Sequence, residues 1–222
     1  MFSEFHDIEI HDPPKGMVVP QGWDFDLMLV AMPYSDAFVE TVERYRRSYP
    51  VKSIIIFSTV QVGITSQIPG AVHSPVEGKH PHLAESIQLM PRWVGGYNKW
   101  ADKFFNTANV KPVYLKRPEF TEFLKLRSTS KYGINIEWTR YEKRVADEIG
   151  MPFEFVRMFD KHYNELYNAL GMPQFQRYIL TPPEGLISGH CVRQNAMLLH
   201  EQFPSVFLDM VIDGKGDAAC LR

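Results

Sequence analysis

The chain has 222 residues, 45% of them hydrophobic and 23% charged, with a formal net charge of -2. That is the balance of an ordinary globular protein, long enough for one large domain or two small ones without disulfide or metal support. The near-neutral charge gives no electrostatic reason for nucleic acid or an anionic membrane as partner, and no apolar run approaches the roughly 20 residues of a membrane span. The opening MFSEFHDIEIHD is acidic and alternating, not a basic stretch followed by an apolar one, so a cytoplasmic protein is expected. Cys191 and Cys220 are the only cysteines and are expected to be free thiols.

In chain order, short β-branched runs alternate with helical patterns, the signature of βαβ units and a largely parallel sheet. Strands are predicted over 7–11, 27–32, 53–57, 71–74, 93–95 and 112–115. A helix is predicted over 35–47 with Ser35 as N-cap, and another over 98–106. Pro118 suits the first position of a helix, and the run to Gly150 holds one internal glycine and no proline, so one long helix is predicted. Gly150-Met151-Pro152 stops it, and a second helix follows over 153–170. VFLDMVID, residues 206–213, reads as strand-like. The expected architecture is an α/β domain, residues 1–116, followed by an α-helical domain, residues 117–222.

Five segments carry a resemblance: FSTVQVGITSQI from Phe57, HSPVEG from His73, WVGGYN from Trp93, TEFLKL from Thr121 and SGHCVRQNAMLL from Ser188. In this order they resemble the "STV-x-x-GTT", "x-P-E", "I-V-G-G", "A-E-L-x-K-L" and "G-G-H-C-x-P-x-D" segments of the UDP-glucose and UDP-mannose type nucleotide-sugar dehydrogenases. Each string alone is common, but their order across most of the chain is specific. The resemblance implies an incomplete Rossmann-like parallel sheet followed by a helical domain of the 6-phosphogluconate dehydrogenase kind. It also implies a homodimer formed through the long helix, a small-molecule sugar nucleotide as substrate, and NAD as oxidant.

The family oxidises a primary alcohol twice through a covalent thioester, so the resemblance makes Cys191 the nucleophile. If His190-Cys191 opens a helix, the amide dipoles there favour the thiolate. A buried, inert cysteine is the bland alternative. Lys125 matches the lysine that stabilises the oxyanion, against the alternative of a solvated helix lysine. Thr59 matches the threonine that positions water and cofactor, although packing alone also favours a β-branched residue at a strand end. Glu77 is displaced from the family's glutamate by the intervening Val76. Two departures stand out: Asn195 replaces an aspartate four residues past the cysteine, and Thr129 replaces an asparagine four residues past the lysine. Asn195 can neither act as a base nor carry a countercharge.

For NAD, the resemblance places 7–11 as the second strand of the fold and Asp12 as the ribose acid, with Ser58 and Thr59 also near the cofactor. The family's GxGxxG turn would then fall before Met1, and its third, sugar-nucleotide-binding domain would fall beyond Arg222. Gly214-Lys215-Gly216, with Ala219 following, is expected to be a loop, not a phosphate turn. His80-x-His82 with His73 is expected to be a loop holding no metal. Three function classes follow: a nucleotide-sugar dehydrogenase, a non-catalytic relative that has lost the cofactor, or a fragment of a longer enzyme.

Overall fold

A computed structural model describes residues 2–78, 81–182 and 190–214, residue 190 by its backbone alone. The chain divides into two compact units, Met1–Lys125 and Leu126–Arg222.

The first unit is built on five strands in the order β1 (Phe25–Val30), β2 (Val51–Ile56), β3 (Ala71–His73), β4 (Arg92–Gly95) and β5 (Pro112–Leu115). All neighbours run parallel except β3 and β4, which meet antiparallel at His73 and Gly95. This is the largely parallel sheet expected from the alternating pattern, and it is Rossmann-like, as the resemblance implies. β2 shows why it forms. Its VKSIII run carries four successive buried residues, as a parallel strand covered on both faces requires. Ile55 joins Val72, Val94, Phe104 and Phe105 on one face. Ile54 and Ile56 join Val30, Phe38, Val42 and Ile68 on the other. Each such isoleucine contributes roughly 2–3 kcal/mol of burial.

The covering helices follow from the same logic. α1 (Phe38–Ser48) begins three residues after Ser35, which does not cap it. Ser35 instead gives its carbonyl to the amide of Phe38 in a preliminary turn. The helix starts where its first core anchors, Phe38 and Val42, face the sheet one turn apart. α3 (Lys99–Thr107) matches the helix predicted over 98–106, and Asn98 caps it, its side chain accepting from the amide of Trp100. A short helix that the sequence did not signal, α2 (Leu83–Leu89), follows His82.

Residues 7–11 form no strand. They are mostly exposed, and Asp12 bridges Met17 in a tight turn that includes Gly16 in a left-handed conformation. Alternation of polar and apolar residues in this stretch had no neighbouring strand to serve.

The long helix is present as α4 (Pro118–Glu148), and its first two turns belong to the first unit. The second unit adds α5 (Phe153–Ala169), α6 (His190–Gln202) and α7 (Val206–Asp213). Residues 206–213 are thus helical, correcting the strand-like reading. A short apolar run does not distinguish the two periods, whereas Ser205 caps the amide of Phe207, Gly214 closes the helix in a left-handed conformation, and Leu208 and Val211 form its buried stripe. Gly133 on α4 explains how closely these helices approach. A Cβ there would lie 2.7 Å from methyl carbons of both Val192 on α6 and Val211 on α7. No helix among the described residues is long and apolar enough to cross a membrane.

Candidate functional site

In open α/β sheets ligands bind beyond the carboxyl ends of the parallel strands. In the first unit the segments leaving β2 and β3, together with the first two turns of α4, assemble a set of polar groups there. Lys125, half-buried on α4, donates from Nζ to the carbonyl of Val76 at 2.7 Å and stands 3.8 Å from Glu77. The inserted Val76 therefore places Glu77 beside Lys125. Burial raises the pKa of the Glu77 carboxyl, against the lowering effect of the Lys125 and Arg92 charges.

Arg92, at the start of β4, is 4% exposed and shares this region. Its guanidinium donates to the hydroxyl of Ser74 at 2.9 Å and to the Ser74 carbonyl, and it lies over the ring of Phe57. Burial lowers its pKa to about 10, with Glu77 opposing, so it remains a cation at neutral pH. His73 is fully buried, with Nδ1 2.8 Å from Thr121 Oγ1 and Nε2 3.1 Å from the Ser58 carbonyl. Burial first, then the charges of Arg92 and Lys125, lower its pKa to about 3 against the effect of the Ser58 carbonyl.

Glu122, also fully buried, accepts from the amides of Gly63 and Thr65 and so holds the loop after β2 against α4. Burial raises its pKa, while the bonds from Thr65 and Gly63 oppose the shift. Gly63 has a φ of 95°, where a side chain would be strained. Ser58 is buried. Its hydroxyl accepts from the amide of Met32 at 3.0 Å and faces the Val30 carbonyl, tying the ends of β1 and β2 together. Thr59 follows it, half-buried.

In the second unit Cys191 is an exposed free thiol in the first turn of α6. Asn195, one turn on and 3% exposed, donates from Nδ2 to Thr129 Oγ1 on α4 at 2.7 Å. The two positions that depart from the family pattern are therefore bonded to each other.

Asp12, the expected ribose acid, stands at no strand end and pairs with Lys15 at 2.8 Å. Of the expected cofactor contacts, only Ser58 and Thr59 lie at the carboxyl edge, and no strand-to-helix turn of the described residues has the GxGxxG form. Residues 183–189 and 215–222, with Lys79 and His80, lie outside the described residues, so Cys220 and the expected loop at Gly214-Lys215-Gly216 are placed only as far as Gly214. Among the described residues no three His, Cys, Asp or Glu side chains converge as metal ligands.

Sequence reasoning missed His73, Arg92, Thr121 and Glu122 as members of this cluster. A usable signal was present in TEFLKL, where residues 121, 122 and 125 fall on one side of a helix.

The fold is thus a mostly parallel α/β sheet followed in the chain by helices. No family model matches the sequence, and no curated protein matches it. Solved structures do match. The UDP-D-ManNAc dehydrogenase of Pyrococcus horikoshii aligns at TM-score 0.66 and 17% identity, covering 87% of this chain and 50% of that one. The NDP-N-acetyl-D-galactosaminuronic acid dehydrogenase of Methanosarcina mazei aligns at TM-score 0.61 and 15% identity, covering 85% and 47%. The 3-hydroxyisobutyrate dehydrogenase of Mycobacterium tuberculosis aligns at TM-score 0.57 and 12% identity, covering 85% and 72%. The chain spans about half the length of the two sugar-nucleotide dehydrogenases. The resemblance carried by the five motifs is thus met in the fold, which this chain shares with UDP-sugar dehydrogenases.

Proposed function

We propose that the chain is an NAD-dependent oxidoreductase of the nucleotide-sugar type, with Cys191 as nucleophile and Lys125 as the group that stabilises the oxyanion. The observation that carries this reading is Lys125. Its ammonium is held by the Val76 carbonyl and Glu77 at the strand-end edge where such folds take their ligands. Attack of the Cys191 sulfur on an aldehyde carbon forms an S–C bond and leaves the former carbonyl oxygen negative. A fixed cation supplies the opposite charge, worth several kcal/mol where water is excluded. NAD is the oxidant this reading requires.

A homodimer belongs to the same proposal. Trp138 and Tyr141 on α4, and Phe155, Met158, Phe159 and Leu166 on α5, are exposed, and apolar side chains in such number call for a partner surface. The free thiol of Cys191 suits a reducing, cytoplasmic setting.

A second reading, a non-catalytic relative, is favoured by the Thr129–Asn195 pair. Two neutral side chains satisfy each other where the family keeps an acid and an amide. The two readings separate in one assay, NADH formation at 340 nm with a panel of UDP-sugars. The first expects turnover in the wild type that disappears in Cys191→Ser and falls by about a hundredfold or more in Lys125→Ala. Turnover that survives Cys191→Ser removes the nucleophile role, and no turnover with any sugar favours the second reading.

A further inference from the structure

We propose that His73 is a positioning residue. Its imidazole spans the end of β2 and the first turns of α4, and so fixes where Lys125 stands relative to Thr59. The proposal rests on the reading above, in which Thr59 and Lys125 belong to the site.

A backbone carbonyl only accepts, so the contact with Ser58 places the ring hydrogen on Nε2, which leaves Nδ1 as a lone pair facing Thr121 Oγ1. The hydroxyl of Thr121, whose oxygen also lies 2.9 Å from the Pro118 carbonyl and 3.3 Å from the His73 carbonyl, donates to it. Both ring nitrogens are thereby committed, and the ring has no second orientation that satisfies both partners. Burial keeps the imidazole neutral at physiological pH, which spares the region a third positive charge beside Arg92 and Lys125.

Each partner of the ring leads to a candidate site residue. The Ser58 carbonyl belongs to the peptide bond that enters Thr59, so the hydrogen bond fixes that peptide plane. Thr121 lies four residues before Lys125 on α4, one turn away on the same side of the helix. The far side of Thr121 is closed as well. A Cβ on Gly95 would lie 2.4 Å from Thr121 Oγ1 and 2.6 Å from the Cα of Pro118, so the helix rests directly on β4. Glu122 completes the clamp through Gly63 and Thr65. A residue chosen only to fill this space would be apolar, since a buried imidazole gives up its hydration and regains it only through the two bonds it makes.

The test compares the full-length wild type with His73→Phe, which keeps a ring and loses both bonds, and His73→Gln, whose amide can donate to Ser58 and accept from Thr121. The readout is the acetylation rate of the Lys125 amine by dilute acetic anhydride, measured by mass spectrometry against the exposed Lys131 as internal standard. The Phe variant is expected to raise the Lys125 rate by about fivefold, the factor that one lost hydrogen bond represents, and the Gln variant to stay within about twofold of wild type even if its melting temperature falls. A folded Phe variant with an unchanged Lys125 rate overturns the proposal, as does a Gln variant that behaves like Phe. If the Phe variant does not fold, Thr121→Val removes the hydroxyl alone and must raise the rate in the same direction; an unchanged rate there also overturns it. Absence of NADH formation in the wild type would sink the dehydrogenase reading and leave the Lys125 rates to decide this one.

Discussion

The two stretches of α4 are held by different chemistry. Residues 118–125 meet the sheet through Thr121, Glu122 and Lys125, each bonded to a loop or strand end of the first unit. Residues 126–148 meet α6 and α7 at Gly133, a point of methyl contact, and at the polar pair Thr129–Asn195. Directional bonds fix rotation and register, whereas methyl packing fixes only distance. A helix keyed by the first kind of contact can hold a charged group at a defined place, which is what an oxyanion-stabilising lysine needs. The second kind makes a stable helical layer and leaves its chemistry to a few residues. Glycine serves both stretches, since Gly95 and Gly133 each clear the space that their partners fill.

The largest effect is expected at Gly95. A Cβ there meets Thr121 and the backbone of Pro118 and Arg117, which cannot rotate away, so Gly95→Ala is expected to cost about 3 kcal/mol in urea unfolding. A cost below about 1 kcal/mol would show that α4 does not rest on β4.

The next effect is in pH. The pKa of His73 in the folded protein is about 3, below its ordinary 6.5, so the unfolded chain binds the proton first. Stability from this group is complete above pH 6.5 and is lost as pH falls toward 3. Burial of Glu77 and Glu122 raises their pKa values, so these carboxyls contribute the opposite slope, which wild type and His73→Gln share. Relative to His73→Gln, the wild type should therefore lose roughly 2–3 kcal/mol between pH 7 and pH 4.5. Parallel stability curves for the two would mean that His73 is not held neutral.

In the second stretch, Gly133→Val drives a branched side chain into Val192 and Val211 and is expected to cost about 2 kcal/mol, while leaving the Lys125 acetylation rate at its wild-type value. A change in that rate would blur the division between the two stretches. The smallest effect is the coupling between Thr129 and Asn195. A double-mutant cycle with Thr129→Val and Asn195→Ala should return about 1 kcal/mol, and a value below about 0.3 kcal/mol would make the pair incidental.

Much of the fold was legible in the sequence. β2 announced itself by its β-branched run, α3 by its helical pattern over 98–106, and α4 by Pro118 and the absence of proline up to Gly150. Residues 7–11 and 206–213 were misread for one reason, since a short alternating or apolar run carries no information about what lies beside it. α2 lacked a signal, because seven residues without a side-chain cap offer little pattern. The site was legible in part. Lys125 and Cys191 stood out through their motifs, but the residues that hold Lys125 in place did not. His73 and Thr121 are 48 positions apart, and Glu122 reaches loop residues 57 and more positions away. A buried polar side chain is explained by its partner, and a partner at that separation is set by the strand order, not by the local sequence.

An NAD-dependent oxidation, as proposed for this chain, requires that it bind the dinucleotide. Titrating the full chain with NADH and following nicotinamide fluorescence tests it most directly. Saturable binding with a dissociation constant in roughly the micromolar to millimolar range is expected. Fluorescence unchanged by the protein up to millimolar cofactor would contradict it.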